Sequence, residues 1–180
     1  MESKIELKVN NDIYLKETEL EDAEIIFQTI NNEREYLSEW LPFVELTQLI
    51  SDTQNFLESV SKNESNDLTF GIYFQHKFVG LVGLKDIDLD NKKTEIGYWL
   101  SELYQHKGII TLSCRTLIKY AFDEMNLNRI QLKAGTENVK SQRVAERLGF
   151  TREGIERDGE LHSRGFVDLV VFGLLKADRK

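Results

Sequence analysis

The apolar residues of this 180-residue chain change their period part-way along it, and that change limits the folds open to it. From Leu20 the spacing is helical, with Leu20, Ala23, Ile26, Phe27 and Ile30 on one stripe behind Thr18 and Glu21, a capping-box pair. Further helical stretches read as Glu33–Trp40 and Leu46–Val60. From Leu68 the pattern turns to strands. Leu68–Phe74 and Phe78–Leu84 form a hairpin joined at Gln75-His76-Lys77, Lys85–Lys93 is a polar turn region, and Thr94–Leu100 is another strand. Ile13–Lys16 is a short early strand. Gly108–Phe122 returns to helical spacing, with Ile110, Cys114, Leu117, Ile118 and Ala121 on one face. Arg129–Ala134, Phe150–Glu156 and Phe166–Leu175 read as strands, and Val139–Leu148 as a helix. Hairpins combined with a single strand–helix–strand crossover predict a mixed sheet flanked by helices, not a Rossmann alternation.

No linker or repeat divides the chain, so one domain over residues 1–180 is expected. No apolar run approaches the roughly 18 residues of a membrane span. The Met1-Glu2-Ser3-Lys4 start lacks a signal-peptide apolar region, which favours a cytoplasmic setting. One cysteine, Cys114, excludes an internal disulfide and a cysteine-based zinc site, and it falls on the buried helix face. His76, His106 and His162 are scattered without metal-ligand spacing, so no metal is expected, and His106 reads as a loop-surface residue.

The net charge is −8, distributed as −12 over residues 1–102 and +4 over residues 103–147. An acidic chain argues against direct nucleic-acid binding. The local basic island is compatible with a small polyanion, and the acidic first part suits a cationic acceptor.

Two windows carry chemistry. In the first, the strand Thr94-Glu95-Ile96-Gly97-Tyr98-Trp99-Leu100 feeds Gln105-His106-Lys107-Gly108-Ile109-Ile110-Thr111, where a helix begins. Backbone N–H groups and the helix N-terminus then form a pyrophosphate-sized anion site. A plain strand-to-helix turn has the same pattern, and neither a Walker loop nor Gly-x-Gly-x-x-Gly is present. In the second window Asn138 is an N-cap and Gly149 a C′ residue. Lys140, Arg143 and Arg147 share one face of the helix between them, an arrangement also found on simply solvated helices.

Together the windows resemble the GNAT superfamily of acetyl-CoA-dependent N-acetyltransferases, with its Gln/Arg-x-x-Gly-x-Gly/Ala loop and later Asn…Gly-Phe segment. Trp40-Leu41-Pro42, Ile96-Gly97-Tyr98-Trp99-Leu100, Gly108-Ile109-Ile110-Thr111 and Asp168-Leu169-Val170-Val171 resemble its RimJ/RimL-type branch, and the likeness runs over about residues 10–176. The chain departs from the wider family at Ile110, where many relatives have Gly or Ala. It also lacks the later-helix tyrosine that many relatives use as general acid: Ala145 stands there.

The resemblance implies a mixed α/β fold with a mostly antiparallel twisted sheet of about seven strands. It implies acetyl-CoA as cosubstrate and CoA as product, with direct transfer in a ternary complex. The cofactor would lie on Tyr98, Trp99, Leu100, Gln105, His106, Lys107, Gly108, Ile109, Ile110, Thr111, Asn138, Lys140, Ser141 and Arg143. Backbone N–H groups around Trp99 and Leu100 would polarise the thioester carbonyl, Glu95 would be the base and Ser141 the acid. Trp40, Pro42 and Phe43 would wall the acceptor site. The leading acceptor is a protein N-terminal amine of ribosomal-protein type. A small-molecule amine or a non-catalytic acyl-CoA-binding module remains open, and a homodimer is compatible with the branch.

Overall fold

The computed structural model describes residues 4–61 and 66–179, so Met1–Ser3 lie outside it. Among the described residues eight strands form one sheet: β1 (Glu6–Lys8), β2 (Ile13–Glu17), β3 (Leu68–Phe74), β4 (Lys77–Asp88), β5 (Lys93–Leu100), β6 (Arg129–Gly135), β7 (Thr151–His162) and β8 (Gly165–Leu175). Their order is β1-β2-β3-β4-β5-β6-β8-β7, and only β5 and β6 run parallel. The mixed, mostly antiparallel sheet is therefore as the sequence predicts, with one strand more. That strand, β1, is Glu-Leu-Lys, too short to show a period.

The β3–β4 hairpin closes through Gln75 and His76, both left-handed at φ 49° and 64°. Two such residues in succession match the twist of the flanking strands. β4 and β7 run further than their apolar patterns suggest. Asp86 and Asp88 extend β4, and β7 is an edge strand exposed along most of its length, so alternation is absent there.

Among the described residues six α-helices flank the sheet: α1 (Ala23–Asn32), α2 (Arg34–Ser38), α3 (Phe43–Leu46), α4 (Ile50–Ser61), α5 (Ile109–Asp123) and α6 (Val139–Arg147). The capping box before α1 is formed by Glu19 and Asp22, with the Glu19 N–H donating to Asp22 Oδ2 at 2.9 Å. The Thr18 hydroxyl instead donates to the Thr69 carbonyl, and Leu20 faces solvent. The predicted helix Leu46–Val60 begins later, at Ile50, because the Asp52 carboxylate caps it, accepting the Gln48 and Leu49 N–H groups at 2.8 Å each.

The two sheet faces bury separate cores. Under α5 and α6 lie Leu15, Phe70, Ile96, Leu117, Phe122 and Phe172, with Cys114 fully buried among them. Under α1–α4 lie Ile26, Ile30, Leu37, Leu57, Leu81 and Trp99. At about 1.5–3 kcal/mol for each large apolar side chain withdrawn from water, these layers hold the helices to the sheet.

The feature that positions the site is where β5 and β6 stop pairing. Their register holds for Lys93↔Arg129, Thr94↔Ile130 and Glu95↔Gln131, and then ends. β5 continues against β4 to Gly80↔Leu100, and β6 continues against β8 to Gly135↔Leu169. Between them a slot opens through the sheet.

Candidate functional site

The slot's edges are backbone. The Ser101 N–H donates to the Val79 carbonyl at 2.8 Å, so the hydrogen-bonded pairs between β4 and β5 include Leu81/Trp99 and Gly83/Gly97. The intervening residues Tyr98 and Leu100 turn their peptide groups toward the slot. Of the two expected N–H groups, Leu100 meets this geometry. The Trp99 peptide serves β4, and its side chain packs edge-on against Phe78 in the α1–α4 core. On the other side, the Thr136 N–H bond to the Asp168 carbonyl sets the alternation so that the Lys133 peptide faces the slot. An extended ligand arm carrying amides could add itself between the two strands.

At one end of the slot, Gly108 precedes α5 with φ 74°, and His106 is left-handed at φ 61°. The first helical bond runs from the Leu112 N–H to the Gly108 carbonyl, and no side chain caps this end. The N–H groups of Ile109, Ile110 and Thr111 therefore have no intrahelical acceptor. With the helix dipole's partial positive charge of roughly one half, they form an anion site. His106, Lys140, Arg143 and Arg147 line the same cleft. The Lys107 ammonium lies over the Phe74 and Tyr104 rings at 5.4 and 5.1 Å, where ring faces attract a cation. The Gln105 side chain bridges the mouth. Its amide donates to the Tyr36 hydroxyl and its carbonyl accepts from Lys140 Nζ at 3.2 Å.

α6 brings a hydroxyl to the slot. Asn138 caps it by accepting the Ser141 N–H at 3.1 Å, and Gly149 ends it at φ 86°. Ala145 is buried completely, and its methyl side chain has no proton to give. Ser141 Oγ lies 2.8 Å from the Tyr98 hydroxyl. Burial pushes the Tyr98 phenol far above the usual tyrosine range, with nearby Cys114 adding to the effect, so the phenol keeps its proton at neutral pH. Sequence reasoning gave Tyr98 only a role along the cofactor arm. The hydroxyl pair joins residues 43 positions apart and has no local signature.

The opposite face, under α1–α4, holds the other candidates. Trp40, Pro42, Phe43 and Glu95 all line the cleft. Arg34 fastens the Trp40–Leu46 wall, donating to the Val44 carbonyl and, at 2.7 Å, to that of Thr47. Glu95 Oε1 pairs with Lys85 Nζ at 3.0 Å, and Oε2 is 3.9 Å from Lys133, which itself pairs with Glu156 at 2.7 Å. The hydrogen bond to Glu156 is the main cause holding the Lys133 ammonium above its ordinary pKa. Another carboxylate lining the cleft, Glu160, sits 2.7 Å from His162 Nε2. Sequence reasoning missed this pair, because it lies on an edge strand with no alternation to read.

Cofactor-side and acceptor-side residues line one continuous cleft of about 1370 Å³. Single-ligand pockets span roughly 300–1,000 Å³, so two reactants fit here.

Residues 12–151 match the acetyltransferase (GNAT) domain family. The chain is 36% identical to the YdaF protein of Bacillus subtilis (strain 168), over 95% of each chain. It is 26% identical to the ribosomal-protein-serine acetyltransferase of Escherichia coli (strain K12), over 92% of this chain and 94% of that one. Among solved structures, the microcin C7 self-immunity acetyltransferase MccE, in complex with acetyl-CoA and AMP, superposes with a TM-score of 0.87. It is 32% identical and covers 93% of this chain and 94% of its own.

Proposed function

The chain belongs to the acetyltransferase (GNAT) family, and on that premise we propose that it is a RimJ/RimL-type enzyme moving an acetyl group directly from acetyl-CoA to a protein N-terminal α-amine. The observation that carries this reading is the slot between β5 and β6, open to the α5 anion site on one face and to the Trp40–Glu95 cleft on the other. Two reactants brought from opposite faces meet there without a covalent enzyme intermediate.

Acetyl-CoA supplies an activated thioester. The N–H groups of Ile109, Ile110 and Thr111, with Lys140, Arg143 and Arg147, suit its pyrophosphate. The peptide groups of Tyr98, Leu100 and Lys133 suit its amide-bearing arm. An N–H of β5 at Tyr98 or Leu100 faces the region where negative charge builds on the carbonyl oxygen. The chain's side chains then handle protons. Glu95 accepts one, through water, from the incoming ammonium. As the carbon–nitrogen bond forms and the carbon–sulfur bond breaks, Ser141 Oγ gives its proton to the departing sulfur and regains, through water, the second proton that the nitrogen loses, so that serine ends as it began, with the Tyr98 hydroxyl behind it.

An α-amine, near pKa 7.8, is roughly 10–15% neutral at pH 7, against roughly 0.04% for lysine, so it asks less of the base. A second assignment of the base has its own support. Both oxygens of Glu95 face ammonium groups, whereas Glu160 faces the His162 ring.

The test is CoA release with free-amine peptides, N-acetylated control peptides and small amines, with mass spectrometry of the product. Acetylation at the peptide α-amine supports the reading. Transfer confined to small amines would leave the family intact and remove the protein acceptor. CoA binding without transfer would leave a non-catalytic module.

A further inference from the structure

Ties between residues 68 and 69 positions apart join α2 to the segment between β5 and α5. Glu33, the N-cap of α2, accepts the Ser101 hydroxyl on one carboxylate oxygen and the Glu102 N–H at 2.7 Å on the other. Ser101 is only 4% exposed, so the end of β5 is fixed from the α1–α4 face. One helical turn on, the Tyr36 hydroxyl accepts the Gln105 side-chain amide. Burial holds the Tyr36 phenol above its ordinary pKa, with Glu102, Glu33 and Glu39 adding to the effect, so the phenol stays neutral. Gln105 also reaches the other way. Its amide oxygen accepts from Lys140 Nζ, in the first turn of α6, at 3.2 Å. The same ammonium lies 5.9 Å from the centroid of the Tyr36 ring. Both of these partners, an amide oxygen and a ring face, are neutral.

Tyr36, Gln105 and Lys140 thus form a strap, and all three line the cleft. Gln105 follows the end of β5 and Lys140 follows the end of β6, the two strands whose parting opens the slot. α2 packs on one face of the sheet through Leu37, and α6 on the other through Ala145. The strap therefore passes from face to face around the open end of the slot. Its Gln105–Lys140 contact joins the loop that ends at Gly108 to the helix opposite, across the way from the anion site into the slot.

We propose that this strap is a gate on the cofactor's path, held shut by Tyr36, and that the cofactor opens it by drawing Lys140 from Gln105 to its phosphate. The inference rests on the acetyl-transfer reading, which puts Lys140 at the pyrophosphate, and it adds Tyr36 as a positioning residue that acts through Gln105. An arm cannot lie between Gln105 and Lys140 while their side chains touch. A phosphate offers the ammonium full negative charge where Gln105 offers only an amide dipole, so the exchange runs toward the cofactor. Whatever holds the gate shut is subtracted from cofactor binding, because the affinity is scaled by the fraction of molecules with the gate open.

The test is calorimetric titration of CoA into the wild type, Tyr36→Phe, Gln105→Met and Lys140→Ala at several salt concentrations. Tyr36→Phe keeps the ring and removes the hydroxyl that anchors Gln105. With the gate loosened, CoA should bind about two- to tenfold more tightly, the worth of one neutral hydrogen bond. The fall of affinity with salt should not change, because no charge has been lost. Gln105→Met keeps the length, cuts the strap at its centre and should tighten binding in the same way. A side chain that merely shapes the loop would do the reverse, since its loss would weaken binding. Lys140→Ala should flatten the salt dependence, and in that background Tyr36→Phe should no longer tighten binding. Unchanged or weakened CoA affinity in Tyr36→Phe would overturn the gate and leave the phosphate site standing. Should Tyr36→Phe fail to fold, Gln105→Met decides by the same criterion. An unchanged salt dependence in Lys140→Ala would instead remove Lys140 from the phosphate, and the reading on which the gate rests would fail with it.

Discussion

Replacing Tyr98 by phenylalanine removes one oxygen and keeps the ring in its place beneath α6. That oxygen lies 2.8 Å from Ser141 Oγ and 3.4 Å from the Ser141 carbonyl, so the loss falls on a single short hydrogen bond. A neutral hydrogen bond contributes about 0.5–1.5 kcal/mol net. At 1.36 kcal/mol per tenfold, loss of its orienting effect should slow the chemical step roughly two- to thirteenfold. Ser141→Ala removes the proton donor itself and should cost about 10²–10⁴-fold, the usual worth of general acid catalysis. The helix should persist, because alanine is the better helix former. If Tyr98 acts only through Ser141, the double variant should be no slower than Ser141→Ala alone. The assay is single-turnover transfer with a peptide acceptor across pH 6–9, with acetyl-CoA affinity measured in parallel. Additive losses in the double variant would show that Tyr98 works independently of Ser141. A near-wild-type rate for Ser141→Ala throughout would remove serine from the mechanism and leave solvent as the acid.

Gly108→Val should weaken CoA binding in calorimetry. A Cβ there meets nothing within 4 Å, so the cause is the left-handed φ of 74°, which a β-branched residue resists by about 1–2 kcal/mol or more; unchanged affinity would put the phosphate elsewhere. Lys140→Ala and Arg143→Ala should each flatten the fall of CoA affinity with salt, whereas Lys107→Ala should not, and an unchanged salt slope in the first two would refute the basic rim. Glu95→Gln should lose most of its rate at the acid end of the pH profile and least at high pH, where the amine is already neutral; if Glu160→Gln shows that signature instead, the base is Glu160. The backbone N–H groups of Leu49 and Gln48 hold the Asp52 carboxyl below its ordinary pKa, so its support of α4 is present above about pH 4 and fades as pH falls through the depressed value. Asp52→Asn should therefore lower the melting temperature at pH 7 more than at pH 3, and an equal effect at both would refute this.

Elements that state their own local chemistry were legible beforehand. Asn138 and Gly149 bracket α6 where a cap and a C′ glycine belong, and Gly108 opens α5 as the pattern required. Elements set by partners were not. The capping box moved from Thr18/Glu21 to Glu19/Asp22 because the Thr18 hydroxyl bonds to β3 instead. β1 forms on Leu7 and its pairing with β2, and β7 is an exposed edge strand with no alternation to read. Lys107 carries the right charge in the right loop, and its ammonium lies over the Phe74 and Tyr104 rings, a contact that no local spacing announces.

The sequence by itself determined the period of each segment, and with it a mixed sheet with one crossover, an anion-binding helix start and a capped basic helix. Those follow from interactions between residues a few positions apart. Only the tertiary structure decided that β5 and β6 part after Glu95 and Gln131, that Tyr98 meets Ser141, and that Thr69, Gly83 and Gly97 fall into one cross-strand row. Each of these depends on register between strands or on packing between a strand and a helix, which residue types at local spacing do not encode.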